Sequence, residues 1–374
     1  MENKGNGQVI FVEPLWVTGE TCLFNVTNPV DYAFAKKRIT KFRSNFIKKL
    51  ESEGFVNTYD RNDLRDKLFF IMDSDVCEYE PGTKEYKNEF NKRMFEAGGT
   101  NLNYPYSLYF LDYLNNPFYP AVLKNESVNG GIDKFFIENE EQLNILKKFY
   151  SDFKNNDDIK FLLEDNCIFQ QFIETPTEYK TYLRVLMSAS GDMMGASLKF
   201  SHTSSERNEP NGILENYFWN EKSKYFLNAK KMFNYYSGGE NIFFSQPKYS
   251  DIKKRVLISH GINPSNPVLP EEVYEVSSNI AKKCNAELGI IVGIDFIYNV
   301  IDSKWYYLEN QAFPAVEEWA VTKGIKIKPI KNINDYLDYM EYYDIKARYE
   351  ALLMYMNKKN HENIFEDGLS LLKK

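Results

Sequence analysis

The stretch "GIIVGIDFIYNVIDSKWYYLENQ", residues 289–311, decides how the chain is read. Two runs rich in β-branched and aromatic residues flank a short polar turn, a pattern that predicts two antiparallel strands. Each run carries an acid: Asp295 sits between Ile294 and Phe296, and Glu309 lies near the end of the second run. Pairing the runs brings both acids onto one sheet. Strand alternation places Tyr307, Glu309 and Gln311 on one face and Tyr306, Leu308 and Asn310 on the other. A carboxylate inside an apolar strand is costly unless a cation meets it. That cation is either a Lys or Arg partner or a metal. Two acids and an amide oxygen form a hard-oxygen set that suits Mg²⁺, with phosphate oxygens completing the octahedron.

Working outward, "PEEVYEVSSNIAKKCNAEL" before this pair has helical spacing, and Pro314 after it stops the strand. Further upstream, "AVLKNES" is a strand carrying Lys124, followed by the turn "NGGIDK" with Gly130, Gly131 and Lys134 and by a short strand "KFFI". A lysine beside a Gly turn can clamp phosphate, since the ammonium adds point charge and the turn offers backbone N–H groups. A hairpin with solvated lysines is the ordinary alternative. A helix is expected from Glu140, with Asn139 as its N-cap. "NCIFQQFIE" is another strand, and "KTYLRVLMSASGDMMGASLKF" supplies two more, forming a hairpin around Ser190, Gly191 and Asp192. Arg184 and Lys199 are cations within those apolar strands, suited either to structural pairing or to offsetting the charge of a transferred phosphate.

The first hundred residues open with the strand "GQVIFVEPLW", a helix ending near Gly54, and the strand "KLFFIMD". No GxGxxG turn marks a dinucleotide site. The expected fold class is α/β, built from α+β lobes. Four segments are expected: an N-terminal α/β lobe at 1–105, a small lobe at 106–190, a large lobe at 191–330 and a C-terminal helical tail at 331–374.

Composition narrows the function. With 374 residues, 43% hydrophobic, the chain can bury a large core. No apolar run is long enough to span a bilayer and no signal-peptide core follows the N-terminus, so a soluble, cytoplasmic protein without a membrane partner is expected. The net charge of −7, with lysines dispersed among acids, argues against nucleic acid as a partner. The four cysteines form no CxxC pair and the three histidines have no ligand spacing. Any chemistry must therefore rest on carboxylates, Lys and Arg, with or without a bound cofactor.

Taken in order, the strand ending in Lys124, the Gly turn, "IFQQFIE", "LRV" and "GIDFIYN…WYYLENQAFP" resemble the ATP-grasp superfamily, in its carboxylate–amine ligase branch. The resemblance spans roughly residues 105 to 325 through several short motifs. It implies an ATP-grasp fold in which the N-terminal lobe and tail flank two lobes holding ATP. Lys124 then corresponds to the strand lysine that contacts nucleotide phosphates, and Gly130, Gly131 and Lys134 to the loop that closes over them. Gln170, Gln171, Phe172 and Ile173 resemble the hinge whose backbone meets adenine, and Glu178 a ribose ligand. Arg184 and Lys199 would steady phosphate or the acyl intermediate, and Asp295, Glu309 and Gln311 fall on the metal positions, for Mg²⁺ or alternatively Mn²⁺. The chain departs from the family pattern E-x-N-x-x-P, having Gln311 where Asn is usual, and Asp133 stands where the loop commonly has Gly.

The implied reaction uses ATP to activate a carboxylate as an acyl phosphate, releasing ADP, and an amine then displaces the phosphate to form an amide, on a small molecule, an amino acid or a peptide. The polar stretches "SHTSSERNEPNGI" and "NYYSGGEN" are long enough to supply a lid. An ATP-grasp kinase and a degenerate nucleotide-binding scaffold are the other readings. The aromatic tail either packs on the core, binds a partner or joins two copies as a homodimer.

Overall fold

The computed structural model describes residues 8–10, 37, 55–57, 87–99, 102–125, 134–176, 179–202, 213–218, 225, 227, 240–283, 290–311, 314–326, 335, 346–348, 350–351 and 354–355. The expected strand "KLFFIMD", all of the first helix but Lys37, which is helical, the Gly turn with Gly130 and Gly131, Glu178 and most of both lid stretches lie outside the described residues. At the start of the chain, β1 (Gln8–Ile10) pairs in parallel with β2 (Phe55–Asn57).

Two antiparallel sheets carry the rest. The smaller has the order β3-β6-β4-β5, built from β3 (Ser107–Tyr109), β4 (Ala121–Asn125), β5 (Phe135–Ile137) and β6 (Cys167–Gln171). The larger has the order β11-β10-β7-β8-β9: β7 (Tyr179–Ser188), β8 (Met193–His202), β9 (Glu240–Phe243), β10 (Ile291–Asn299) and β11 (Lys304–Gln311). The two runs of the opening stretch thus pair as expected, and β7 and β8 form the expected hairpin. Strand β7 belongs to the large sheet, so the change of sheet falls between Gln171 and Tyr179.

Helix α1 (Lys87–Gly98) and α2 (Phe110–Asn115) precede the small sheet's central strands, and α3 (Glu140–Phe153) and α4 (Asp157–Glu164) follow β5. Asn139 caps α3 by accepting from Gln142 N at 3.1 Å, and Asn156 caps α4 by accepting from Ile159 N at 3.1 Å. Leu143, Leu146 and Phe149 line the face of α3 that is buried with Ala121, Leu123, Phe135, Ile137 and Phe169 of the sheet. Each such side chain contributes about 1.5–3 kcal/mol by leaving water.

Helix α5 (Ile213–Phe218) returns to the small sheet's core through Leu214 and Phe218, whereas α6 (Asp251–Ser259) and α7 (Glu271–Lys283) pack on the large sheet. Val273, Val276 and Ile280 of α7, Val256 and Leu257 of α6, and Met94 and Phe95 of α1 bury one sheet face with Leu183, Val185, Leu198, Ile242, Ile294, Phe296 and Tyr307. Helix α1, within the segment expected to be a separate N-terminal lobe, is therefore part of the large sheet's core. Leu183, Val185, Ile294 and Phe296 alternate with residues that point to the opposite face, and that face is polar.

The short helix α8 (Glu317–Thr322) covers it. Two glycines permit the approach. A Cβ on Gly195 would stand 2.5 Å from the backbone oxygen of Glu318, and one on Gly293 would stand 2.8 Å from Pro314 Cβ. The tail's described residues pack behind α8: Trp319 Nε1 donates to Glu350 Oε2 at 3.1 Å, and Lys323 pairs with Glu350 at 2.5 Å. Ala347 and Ala351 are fully buried there. These contacts set Glu350 of the tail against α8. No described helix is long and apolar enough to cross a membrane.

Candidate active site

Cross-strand register builds the site. Phe243 on β9 pairs with Ser197 on β8, Ser197 with Arg184 on β7, Arg184 with Asp295 on β10, and Asp295 with Glu309 on β11. Directly opposed residues share a face. One transverse row therefore carries Ser197, Arg184, Asp295 and Glu309 across the polar side of the sheet. The next row, through Lys199 and Tyr182, lies on the same side. Gln311 faces Gly293, on that side as well.

One expectation about this face needs correction. Asp295 pairs with Glu309 but Phe296 pairs with Tyr307, so Leu308 is an extra residue, a β-bulge. The bulge breaks the alternation, turning Tyr307 into the helix-covered core while Glu309 and Gln311 join Asp295. Asn310 is opposite Ile294 on the core side, where its N–H donates to Asn91 Oδ1 at 3.1 Å. Gln311, not Asn310, is thus the amide that shares the face of the two acids.

Arg184 and Asp295 form a two-pronged ion pair: Nε donates to Oδ1 at 2.8 Å and Nη2 to Oδ2 at 2.7 Å. Both are buried, at 6% and 3% exposure. Burial pushes the Asp295 carboxyl upward, and the guanidinium pulls it back. Burial alone would weaken the Arg184 guanidinium, but the carboxylate outweighs it and raises its pKa. We take the pair as ionised, since two parallel charge-assisted hydrogen bonds hold it. The partner-cation reading of Asp295 is therefore realised. It does not exclude a metal, because each carboxylate oxygen retains a second lone pair.

Helix α8 adds two acids, Glu317 and Glu318, for which strand periodicity gives no signal. Glu318 accepts from Ser197 Oγ at 2.6 Å and lies 3.7 Å from Lys199 Nζ. Glu317 accepts from Asn241 Nδ2 at 3.2 Å, and burial raises its carboxyl above the ordinary range, with Lys199 pulling the other way. The only signal for them was "AVEEW" directly after the strand stop, which reads equally as the acidic first turn of any helix. Among the described residues, no three His, Cys, Asp or Glu side chains converge closely enough to hold a metal ion by themselves. A metal here needs the Gln311 oxygen and ligand oxygens beside Asp295 and Glu309. The donor set suits Mg²⁺: on this face four carboxylates, Asp295, Glu309, Glu317 and Glu318, stand against two cations, Arg184 and Lys199.

The small sheet holds the second group. Lys124 and Val122 point away from the side of Ala121 and Leu123, and Phe136 and Phe172 join Val122 there, with ring centroids 4.8 Å apart. Lys124 Nζ donates to Gln170 Oε1, and Gln170 Nε2 donates to Ser107 Oγ at 3.3 Å. Ile173 is buried, and Lys134 is half-buried at the start of β5. An apolar strip ending in a lysine is therefore present. Of the hinge donors expected for adenine, however, Gln171 N–H donates to Tyr106 O at 2.7 Å and Phe172 N–H to Pro120 O at 3.1 Å. Those two groups serve the fold.

His260 belongs to the core. It is 2% exposed, with Nε2 2.6 Å from Thr181 Oγ1 and Nδ1 2.7 Å from Val256 O. Burial pushes its pKa down to about 4, against the Val256 hydrogen bond. The unfolded chain then binds the extra proton between about pH 6.5 and 4, so stability is full above that window and falls with pH through it. The loss reaches about 3 kcal/mol. Denaturant titrations at pH 7 and pH 4.5 should show a shallower acid loss in His260→Gln than in the parent.

No family model matches the chain, and no curated protein matches its sequence. Solved structures do. The chain is similar to a D-alanine–D-alanine ligase from Bacillus anthracis complexed with ATP, at 12% identity over 71% of this chain and 68% of that one, with a TM-score of 0.34. It is also similar to the ATP-grasp ligase PsnB complexed with a phosphomimetic variant of its minimal precursor, Mg and ADP, at 12% identity over 91% and 79%, TM-score 0.38. An L-amino acid ligase from Bacillus licheniformis matches at 12% identity over 81% of this chain and 58% of its own length, TM-score 0.36. All three of these structures are ligases.

Proposed function

We propose that the chain is an ATP-grasp ligase, which activates a carboxylate with ATP and joins it to an amine, releasing ADP and phosphate. The observation that carries this reading is the transverse row of Ser197, Arg184, Asp295 and Glu309, with Lys199 beside it, on one polar face covered by α8. Arg184 and Lys199 supply fixed positive charge where a transferred phosphoryl group gathers negative charge. Asp295 holds the guanidinium in plane. Asp295, Glu309 and Gln311 would hold Mg²⁺, which when bound offsets phosphate charge and acts as a Lewis acid. On the small sheet, Lys124 would meet nucleotide phosphates, and Val122, Phe136 and Phe172 would form an apolar wall for the base. The buried setting of the row limits water around a reactive acyl phosphate. No protein nucleophile is needed, in keeping with a core role for His260. Small molecules and peptides bearing carboxylates and amines are the proposed substrates.

The test is ADP release from ATP and Mg²⁺ across a panel of amino acids and peptides, with mass spectrometry of the products. ADP formation requiring both a carboxylate and an amine, with a product lighter by one water than the two combined, is expected. A stable phosphorylated product formed without the amine would instead identify a kinase.

A further inference from the structure

Helix α8 carries a carboxylate that the proposed chemistry leaves without a task. Glu318 is 1% exposed, although nothing about a helix on a sheet requires a buried acid at that position. Its Oε1 accepts from Ser197 and stands 3.7 Å from the Lys199 ammonium. Its Oε2 is buried with no hydrogen-bond partner among the described residues. A buried acceptor in that condition is destabilising, so its retention calls for a reason. The charge of Glu318 also reaches Arg184 and Tyr182. Helix α8 is held where this arrangement persists, laid against Gly195 on one side and tied through Trp319 and Lys323 to Glu350 on the other.

Beneath that carboxylate lie Lys199 and Arg184, at 3% and 6% exposure. Arg184 is committed to Asp295, and Lys199 has Glu318 within ion-pair distance. A buried cation stays charged and in place only beside a compensating anion. We propose that Glu318 is a positioning residue, an internal counter-anion that holds the Lys199 ammonium beside Arg184 and competes with phosphate oxygens for these two cations. The inference rests on the reading of Arg184 and Lys199 as the phosphate-stabilising cations. Its consequence is chemical: released phosphate meets a site already supplied with an anion, so the buried cations do not trap it. Tyr182, Glu309 and Gln311, half-buried on the same face, mark where that face meets solvent.

The experiment is a calorimetric titration of inorganic phosphate into the full chain and into Glu318→Gln. Removing one negative charge beside two buried cations should tighten phosphate binding by about tenfold. Adding Lys199→Met to Glu318→Gln should abolish that gain. Glu318→Asp, which keeps the charge but withdraws it by one methylene, should give a smaller gain and serves if Glu318→Gln does not fold. A merely structural role lowers the melting temperature of these variants without raising phosphate affinity. The proposal is overturned if either folded variant binds phosphate no more tightly than the parent, or if the gain survives the loss of Lys199. Failure of the ligase reading would appear separately, as absence of ADP release with every carboxylate and amine tried.

Discussion

Arg184→Gln is expected to destabilise the fold by about 3–5 kcal/mol, since it leaves the buried Asp295 carboxylate without its guanidinium. Both oxygens of Asp295 accept from Arg184, and the carboxylate is buried on an interior strand of the five-stranded sheet, where water cannot replace the lost donors. Gln can offer one N–H in place of two charge-assisted ones. Chemical denaturation should show the loss at neutral pH. The double variant Arg184→Leu with Asp295→Leu separates two origins of that loss. Replacing both charges by apolar groups removes the uncompensated carboxylate, so it should recover most of the stability while remaining inactive. A double variant as unstable as Arg184→Gln would mean that the pair contributes through packing rather than charge compensation.

Glu309→Ala is expected to lower Mg²⁺-dependent ATP turnover by about a thousandfold, the scale of losing a group that acts on charge in the transition state. Stability should change little, because Glu309 is half-buried at the outer end of the row, on edge strand β11. The contrast with Arg184→Gln is the useful feature. One variant should fail in the denaturation curve, and the other only in the assay. Measuring turnover against Mg²⁺ concentration adds a second readout, since loss of a metal ligand shifts half-saturation upward. A Glu309→Ala chain that turns over ATP at the parental rate and Mg²⁺ requirement would remove Glu309 from the metal positions.

The elements legible in advance were those with strong local signals. The alternation in "TYLRVLM", the asparagine ahead of "EEQLNILKKFYSDF" and the paired apolar runs around "IDSK" each state their structure within a few residues, and β7, α3 and the β10–β11 hairpin follow them. That Asp295 and Glu309 lie on neighbouring strands of one sheet was legible for the same reason, but the register set by the turn would put Asp295 opposite Leu308, and their direct pairing depends on the bulge. The bulge at Leu308 was not. Nothing in "YYLEN" distinguishes a continuous strand from one with an inserted residue, and the bulge buries Tyr307 against Phe95 and Tyr104, which come from elsewhere in the chain. The sheet to which β7 belongs was equally invisible, because both sheets are antiparallel and offer similar apolar partners.

By itself the sequence determined the local chemistry of this protein: which residues carry charge, which runs form strands, and that Arg184, Lys199, Asp295 and Glu309 lie within apolar strands where charge must be compensated. The tertiary structure decided which charge compensates which. Arg184 meets Asp295 across a 111-residue separation, and Ser197 meets Glu318 across 121. Side-chain periodicity acts over a few residues, whereas these pairs depend on strand order and on how closely α8 can approach Gly195 and Gly293. Those are packing outcomes of the whole chain, and they made "AVEEW" part of the site.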